Sequence, residues 1–270
     1  DPRVIDEVSV DMLRQWHEQT FTQSGLTIVV TGAISRQDAG KSVDILLSDL
    51  PKGRVSQPPD INAKIKPQTV FLHVPEAEKT TIGILGRLPP TSQGNDLTDL
   101  LALSHFSQNG SGPLFSALRT EQRVSYGFQA RFGDYNRKNR LLIITGAVAA
   151  DQAADVAADI AEIYEEYRLD PNFETLADLR NGMVNQTQKN VTHVNIVAQT
   201  ILELALDKRD PKIAPKLHNE LAKLHSQDLK SRMKTVVPPK SELAVFAAGP
   251  SKKGWSDACV ISKIEALDDC

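Results

Sequence analysis

One stretch of the chain is the most distinctive in its residue types and spacing. It runs Asn109-Gly110-Ser111-Gly112-Pro113-Leu114-Phe115-Ser116-Ala117-Leu118-Arg119, and Tyr126 follows after six intervening residues. A guanidinium presents forked donors in a fixed plane, suited to a peptide carbonyl or a carboxylate. A phenol can donate to the oxyanion that forms when a carbonyl is attacked. The glycines make no phosphate cradle, because no Lys-Ser or Lys-Thr follows them. On spacing alone the stretch is a helix break that lets Leu114, Phe115 and Leu118 pack on a sheet, with Arg119 solvated and Tyr126 in the core.

The six histidines, His17, His73, His105, His193, His218 and His225, do not fall into a metal-ligand pattern. Neither H-E-x-x-H nor H-x-x-E-H occurs. His17-Glu18 is followed by Gln19, Thr20 and Phe21, and His218 and His225 are about 10 Å apart along a helix. All six read as surface or packing side chains. Cys259 and Cys270 read as two unpaired thiols, or as a small disulfide loop if the protein is exported. Two cysteines without further ligands nearby do not make a metal site.

Composition excludes several functions. A net charge of -3 with interspersed signs gives no basic face for nucleic acid, and 5% aromatics gives no base-stacking platform. No apolar run approaches the roughly 20 residues of a membrane helix. Asp1 to Gln19 is charged and lacks the apolar stretch of a signal peptide.

The elements that must position Arg119 and Tyr126 follow from periodicity. Ser9 caps a helix bearing Met12, Leu13 and Trp16; Leu26–Thr31 reads as a strand ended by Gly32; and Val43, Leu46, Leu47 and Leu50 mark a helix closed by Pro51. Two strands, Thr69–Val74 and Thr80–Leu85, flank a turn at Pro75–Lys79. A helix over Asp96–Phe106 precedes the Gly-rich break. Tyr126–Phe132 alternates Tyr126, Phe128, Ala130 and Phe132 on one face. It is followed by a polar turn and its partner Leu141–Val148. Asp151 caps an amphipathic helix through Tyr167, and helices around Phe173–Met183 and Val194–Leu204 follow.

The first of these elements return at a fixed offset of 217 positions. Ser9, Asp11, Leu26, Gly32, Val43 and Leu50 match Ser226, Asp228, Leu243, Gly249, Val260 and Leu267, with Met12, Ile28 and Leu47 opposite Leu229, Val245 and Ile264. A period this long denotes a duplicated domain. Residues 1–51 therefore read as the tail (helix–strand–helix) of a first repeat, 52–68 as a proline-bearing linker, and 69–270 as a complete second repeat. The expected fold is α+β: a two-layer sandwich of a mixed, mostly antiparallel sheet with helices on one face.

The pattern Gly-Ser-Gly-Pro-Leu-Phe-Ser-Ala-Leu-Arg119-x₆-Tyr126 resembles the signature of the C-terminal, non-catalytic half of pitrilysin/insulinase-type zinc peptidases. That family includes the mitochondrial processing peptidases and respiratory-complex core subunits. The resemblance implies one half of a clamshell that closes on a peptide, with zinc and its general base on a homologous catalytic half or subunit. Arg119 would then orient the substrate, and Tyr126 would both bind it and stabilise the oxyanion in trans. Phe128 could line an apolar wall of the chamber, although sheet core is its simpler assignment. The chain alone would hydrolyse nothing. The family's frequent occurrence in exported bacterial proteins implies a periplasmic or exported location. The sequence departs from the family at Thr80-Thr81-Ile82, where a Gln is usual, so no functional residue is taken from that strand. The alternative is a structural or assembly subunit with no peptidase role, and a weaker one is a peptide-binding module acting without a catalytic partner.

Overall fold

The computed structural model describes residues 5–54, 64–94, 96–121, 127–136 and 138–270. Two compact units share the chain: Asp1–Ile61 with Gln186–Leu217, and Asn62–Asn185 with His218–Cys270. In chain order the helices are α1 Val10–Thr20, α2 Arg36–Leu47, α3 Asp96–Phe106, α4 Ala153–Leu169, α5 Leu176–Asn190, α6 Val194–Leu206, α7 Leu217–Ala222 and α8 Ser226–Thr235. The strands are β1 Thr69–His73, β2 Thr80–Leu88, β3 Gln129–Asn136, β4 Asn139–Val148, β5 Ala244–Gly249 and β6 Cys259–Ile261. Between α3 and β3 a short helical run, Pro113–Phe115, continues as a π-helix over Ser116–Glu121.

The second unit is built on one six-stranded sheet in the order β3-β4-β2-β5-β1-β6. The three pairings from β3 to β5 are antiparallel, and those of β1 with β5 and β6 are parallel. Alternation decides its faces. In β2, Thr80, Ile82, Ile84 and Leu88 are buried while Thr81 and Arg87 are exposed. The buried set meets Phe71, Leu142, Ile144 and Ala247 beneath a helical layer that contributes Leu101 and Phe106 of α3, Ile160 and Tyr164 of α4, and Leu229 and Met233 of α8. This is the expected two-layer α+β sandwich with a mixed, mostly antiparallel sheet.

Several details differ from the sequence reading. β1 and β2 are not neighbours, because β5 inserts between them. Thr69–His73 is apolar enough to need cover on both edges, and the C-terminal strands supply it. Leu26–Thr31 forms no ladder, and Leu26, Ile28 and Val30 lie exposed. A β-rich run needs a neighbouring backbone, and among the described residues none pairs with it. The hydroxyl of Thr31 donates to the Val194 carbonyl at 3.1 Å. The copy at Asp228–Leu267 reads helix, strand, strand and 3₁₀ turn rather than helix–strand–helix, since Cys259–Ile261 is drawn into pairing with β1. α4 is preceded by Gln152 rather than capped by Asp151.

Cys259 and Cys270 are joined in a disulfide, with Cα atoms 5.8 Å apart. It ties the C-terminus to edge strand β6, and Lys66 donates to the Cys270 carbonyl. The layers are joined by a buried ion cluster. Asp99 of α3 accepts from Arg140 of β4 at 2.6 Å and from Arg232 of α8 at 2.8 and 2.9 Å. The Arg140 guanidinium also lies 3.9 Å over the Phe132 ring of β3.

Breaking a buried pair leaves an uncompensated charge in the interior, so Asp99→Asn should lower the unfolding free energy by about 3–5 kcal/mol in urea titrations. Closing a loop of this size removes on the order of 3 kcal/mol of chain entropy from the unfolded state. Replacing both cysteines by serine should lower stability by roughly 2–3 kcal/mol, and dithiothreitol should shift the wild type but leave the double variant unmoved.

Candidate functional site

The segment carrying Arg119 is shaped by one close approach. After α3 ends at Phe106, the chain doubles back so that the Gly112 amide donates to the Gln108 carbonyl at 2.7 Å. A Cβ on Gly112 would lie 2.5 Å from Gln108 N and 2.8 Å from the His105 carbonyl oxygen, so only glycine fits. Gly110, at φ +90°, turns the chain into this bend. Pro113 then opens the helical run, where its missing N–H costs nothing. Leu114 and Leu118 are fully buried in the core beneath the run. Arg119 follows Leu118 directly and is half-buried, within the π-helical turns. A π-helix widens the backbone by one residue per turn, and such departures occur often at functional sites.

Tyr126 lies outside the described residues. Phe128 is 6% exposed, and its ring fills the space where a Cβ on Gly146 would sit. It shares the helix-facing side of the sheet with Ile144 and Leu142, so it is core and not an open wall. The reason is parity: Ala130 and Phe132 pair with Ile144 and Leu142, which point under the helices, and Phe128, two positions before Ala130, packs against Gly146.

The side chains that do open onto the other face are those the sequence reading passed over. Leu85, Leu141, Ile143 and Arg131 occupy the alternate positions, with Leu85 and Arg131 both opposite Ile143. The signal was present in the Leu141–Val148 alternation, whose odd-numbered residues are the less buried set.

Four of the histidines serve local structure. His17 stacks on Phe21, His73 Nε2 lies 3.1 Å from the Pro250 carbonyl, and His225 forms a capping box with Asp228 at the start of α8. His105, just ahead of the Gly112 bend, is buried between Tyr167 and Phe173. The Tyr167 hydroxyl donates to the Ala102 carbonyl at 3.0 Å, so it accepts from His105 Nδ1 at 3.1 Å; His105 Nε2 then accepts from Thr175 at 3.1 Å. Both ring nitrogens are used by a neutral imidazole, and burial lowers its pKa below the ordinary 6.5. Among the described residues no group of three or more His, Cys, Asp or Glu could hold a metal ion.

The family described as "Peptidase M16 inactive domain" matches residues 7–183. No curated protein matches the chain. Among solved structures it is similar to a peptidase M16 inactive domain from Pseudomonas fluorescens, with 15% identity and a TM-score of 0.81 over 92% of this chain and 59% of that one. A protease from Helicobacter pylori is similar with 12% identity and a TM-score of 0.76, over 90% of this chain and 60% of the other. The periplasmic protease PqqL from Escherichia coli gives 16% identity and a TM-score of 0.69, over 99% of this chain and 31% of that one. The chain thus spans less than two thirds of each, and at these identities the likeness is one of fold.

The His105 network makes the support of the Arg119 segment pH-sensitive. With the folded pKa depressed, the unfolded chain binds the extra proton first, so stability present above pH 6.5 is lost as pH falls below it. The unfolding free energy should decline between pH 7 and 5 by up to about 1.4 kcal/mol per pH unit from this group. His105→Gln should flatten that decline in urea titrations at several pH values.

Proposed function

The chain belongs to the family of peptidase M16 inactive domains, and on that premise we propose that it is the non-catalytic, substrate-binding half of a zinc peptidase. The observation that carries this reading is the construction of the Arg119 segment. A glycine-enforced bend, two buried leucine anchors and a π-helical turn hold one half-buried guanidinium in place.

Arg119 grips the peptide, its forked donors meeting a backbone carbonyl or a carboxylate of the substrate. Tyr126 donates to the carbonyl oxygen as charge develops on it. Zinc on the homologous half supplies the Lewis acidity and the activated water nucleophile. Cleavage belongs to the assembled pair, whether the zinc-bearing half is a separate subunit or another part of the same gene product. The Cys259–Cys270 disulfide favours an oxidising compartment, and the similarity to a periplasmic protease agrees with an exported location.

Removing one donor to a developing oxyanion costs about 10²–10³ in turnover. Tyr126→Phe should therefore lower kcat of the reconstituted peptidase by roughly that factor with little change in KM. Arg119→Ala should lower kcat/KM on the order of 10²-fold, with loss of peptide affinity, while both variants keep the wild-type urea midpoint. If both variants cleave peptides like wild type, the chain is an assembly subunit.

A further inference from the structure

Asparagine is followed by glycine twice in the sequence, at Asn109-Gly110 and at Asn181-Gly182. The pairing has a chemical meaning, because the nitrogen of the following residue lies within reach of the asparagine amide carbon. Glycine adds no Cβ to hinder that approach. Both pairs are exposed, and at neither glycine does a heavy atom lie within 4 Å of where a Cβ would stand. Their backbones differ. Asn181 and Gly182 lie inside α5, past its first turn, where each amide is held in the i→i−4 ladder. Asn109 and Gly110 lie in the turn after α3, with Gly110 at φ +90°. The next two amides, of Ser111 and Gly112, both donate to the Gln108 carbonyl, at 3.4 and 2.7 Å. The Gly110 N–H donates to nothing among the described residues, and the Asn109 side chain is likewise unengaged.

We propose that Asn109 is a site of self-modification. The Gly110 nitrogen attacks Asn109 Cγ. An N–Cγ bond forms, the Cγ–Nδ2 bond breaks, and Nδ2 leaves as ammonia with the proton from the Gly110 amide. The product is a cyclic imide. Water then opens it, the hydroxyl going to a carbonyl carbon and the proton to the Gly110 nitrogen. Opening at Cγ leaves aspartate, and opening at the backbone carbonyl leaves isoaspartate, whose main chain runs through Cβ and Cγ. Either product replaces a neutral amide with a carboxylate, and water is the one co-reactant. The position gives the change a consequence. Asn109 lies within the bend from Gln108 to Gly112, closed by the 2.7 Å bond and by a contact that leaves no room for a Cβ on Gly112. Isoaspartate inserts an extra carbon into that bend, which has no slack to absorb it. The turn that sets Leu114, Leu118 and Arg119 therefore loosens as the product accumulates. This holds whatever Arg119 binds.

The test incubates the folded chain at mildly alkaline pH, which favours the attacking amide anion. Fragments from a digest at acidic pH are then sequenced by mass spectrometry. Conversion should be at least about 10-fold faster at Asn109 than at Asn181, where the Gly182 amide is freed only by local opening of α5. In urea, where neither backbone is fixed, the two rates should converge. Isoaspartate is read by methyl transfer from S-adenosylmethionine with an isoaspartate-specific methyltransferase, and Asn109→Gln should remove most of that signal from the folded chain. Aged wild type should unfold at lower urea than fresh protein, while aged Asn109→Gln should not shift. Equal rates at the two asparagines in the folded chain, or an undiminished difference in urea, would overturn the site. An unshifted midpoint in fully converted protein would overturn the loosening of the bend.

Discussion

The carboxylate of Asp99, held in the interior by two arginines, is the interaction on which the placement of the candidate site depends. One oxygen accepts from Arg140 and Arg232 together and the other from Arg232, so α3, β4 and α8 are tied at one point. Arg140 then leans on Phe132, which extends the tie to β3. The Gly-rich segment with Arg119 leaves from the end of α3 and the chain returns into β3. Both of its anchoring elements therefore converge on the same buried charge. Such a cluster is weak evidence for stability, because desolvating three charges offsets much of their attraction. Its contribution is geometric: few alternative packings can satisfy two guanidinium forks around one carboxylate, and this fixes helix against strand.

The same physics explains what could be read from the amino-acid string. The second unit was legible because its elements announce their periods. Ile82, Ile84 and Leu88 alternate, Val156, Ile160 and Tyr164 recur at helical spacing, and each pattern has a buried face to satisfy. The Gly112 bend was legible as a break, but not as a contact with the His105 carbonyl, because that depends on where α3 stops. The π-helix under Arg119 left no signal, since Ser116 to Glu121 is ordinary helix-forming sequence. Phe128 shows how far parity reaches without topology. Alternation correctly grouped it with Ala130 and Phe132, yet could not say which face of the sheet the helices would cover. The insertion of β5 between β1 and β2 was likewise beyond local pattern, being a pairing of residues some 170 positions apart, such as Val70 with Phe246.

The two copies sharpen this point into an argument about what sequence encodes. Leu26-Thr27-Ile28-Val29-Val30 is a better strand by propensity than Leu243-Ala244-Val245-Phe246-Ala247, yet only the second is a strand. Intrinsic preference for extended backbone is worth little until another strand accepts its hydrogen bonds. Helix α1 makes the complementary case. It forms because each of its backbone bonds closes within itself and Ser9 caps its first turn, so it needs no neighbour to be helical and only lacks one to be buried. A segment that satisfies itself keeps its predicted form, and one that depends on a partner loses it. The difference between the two segments therefore lies in the neighbours that each has among the described residues.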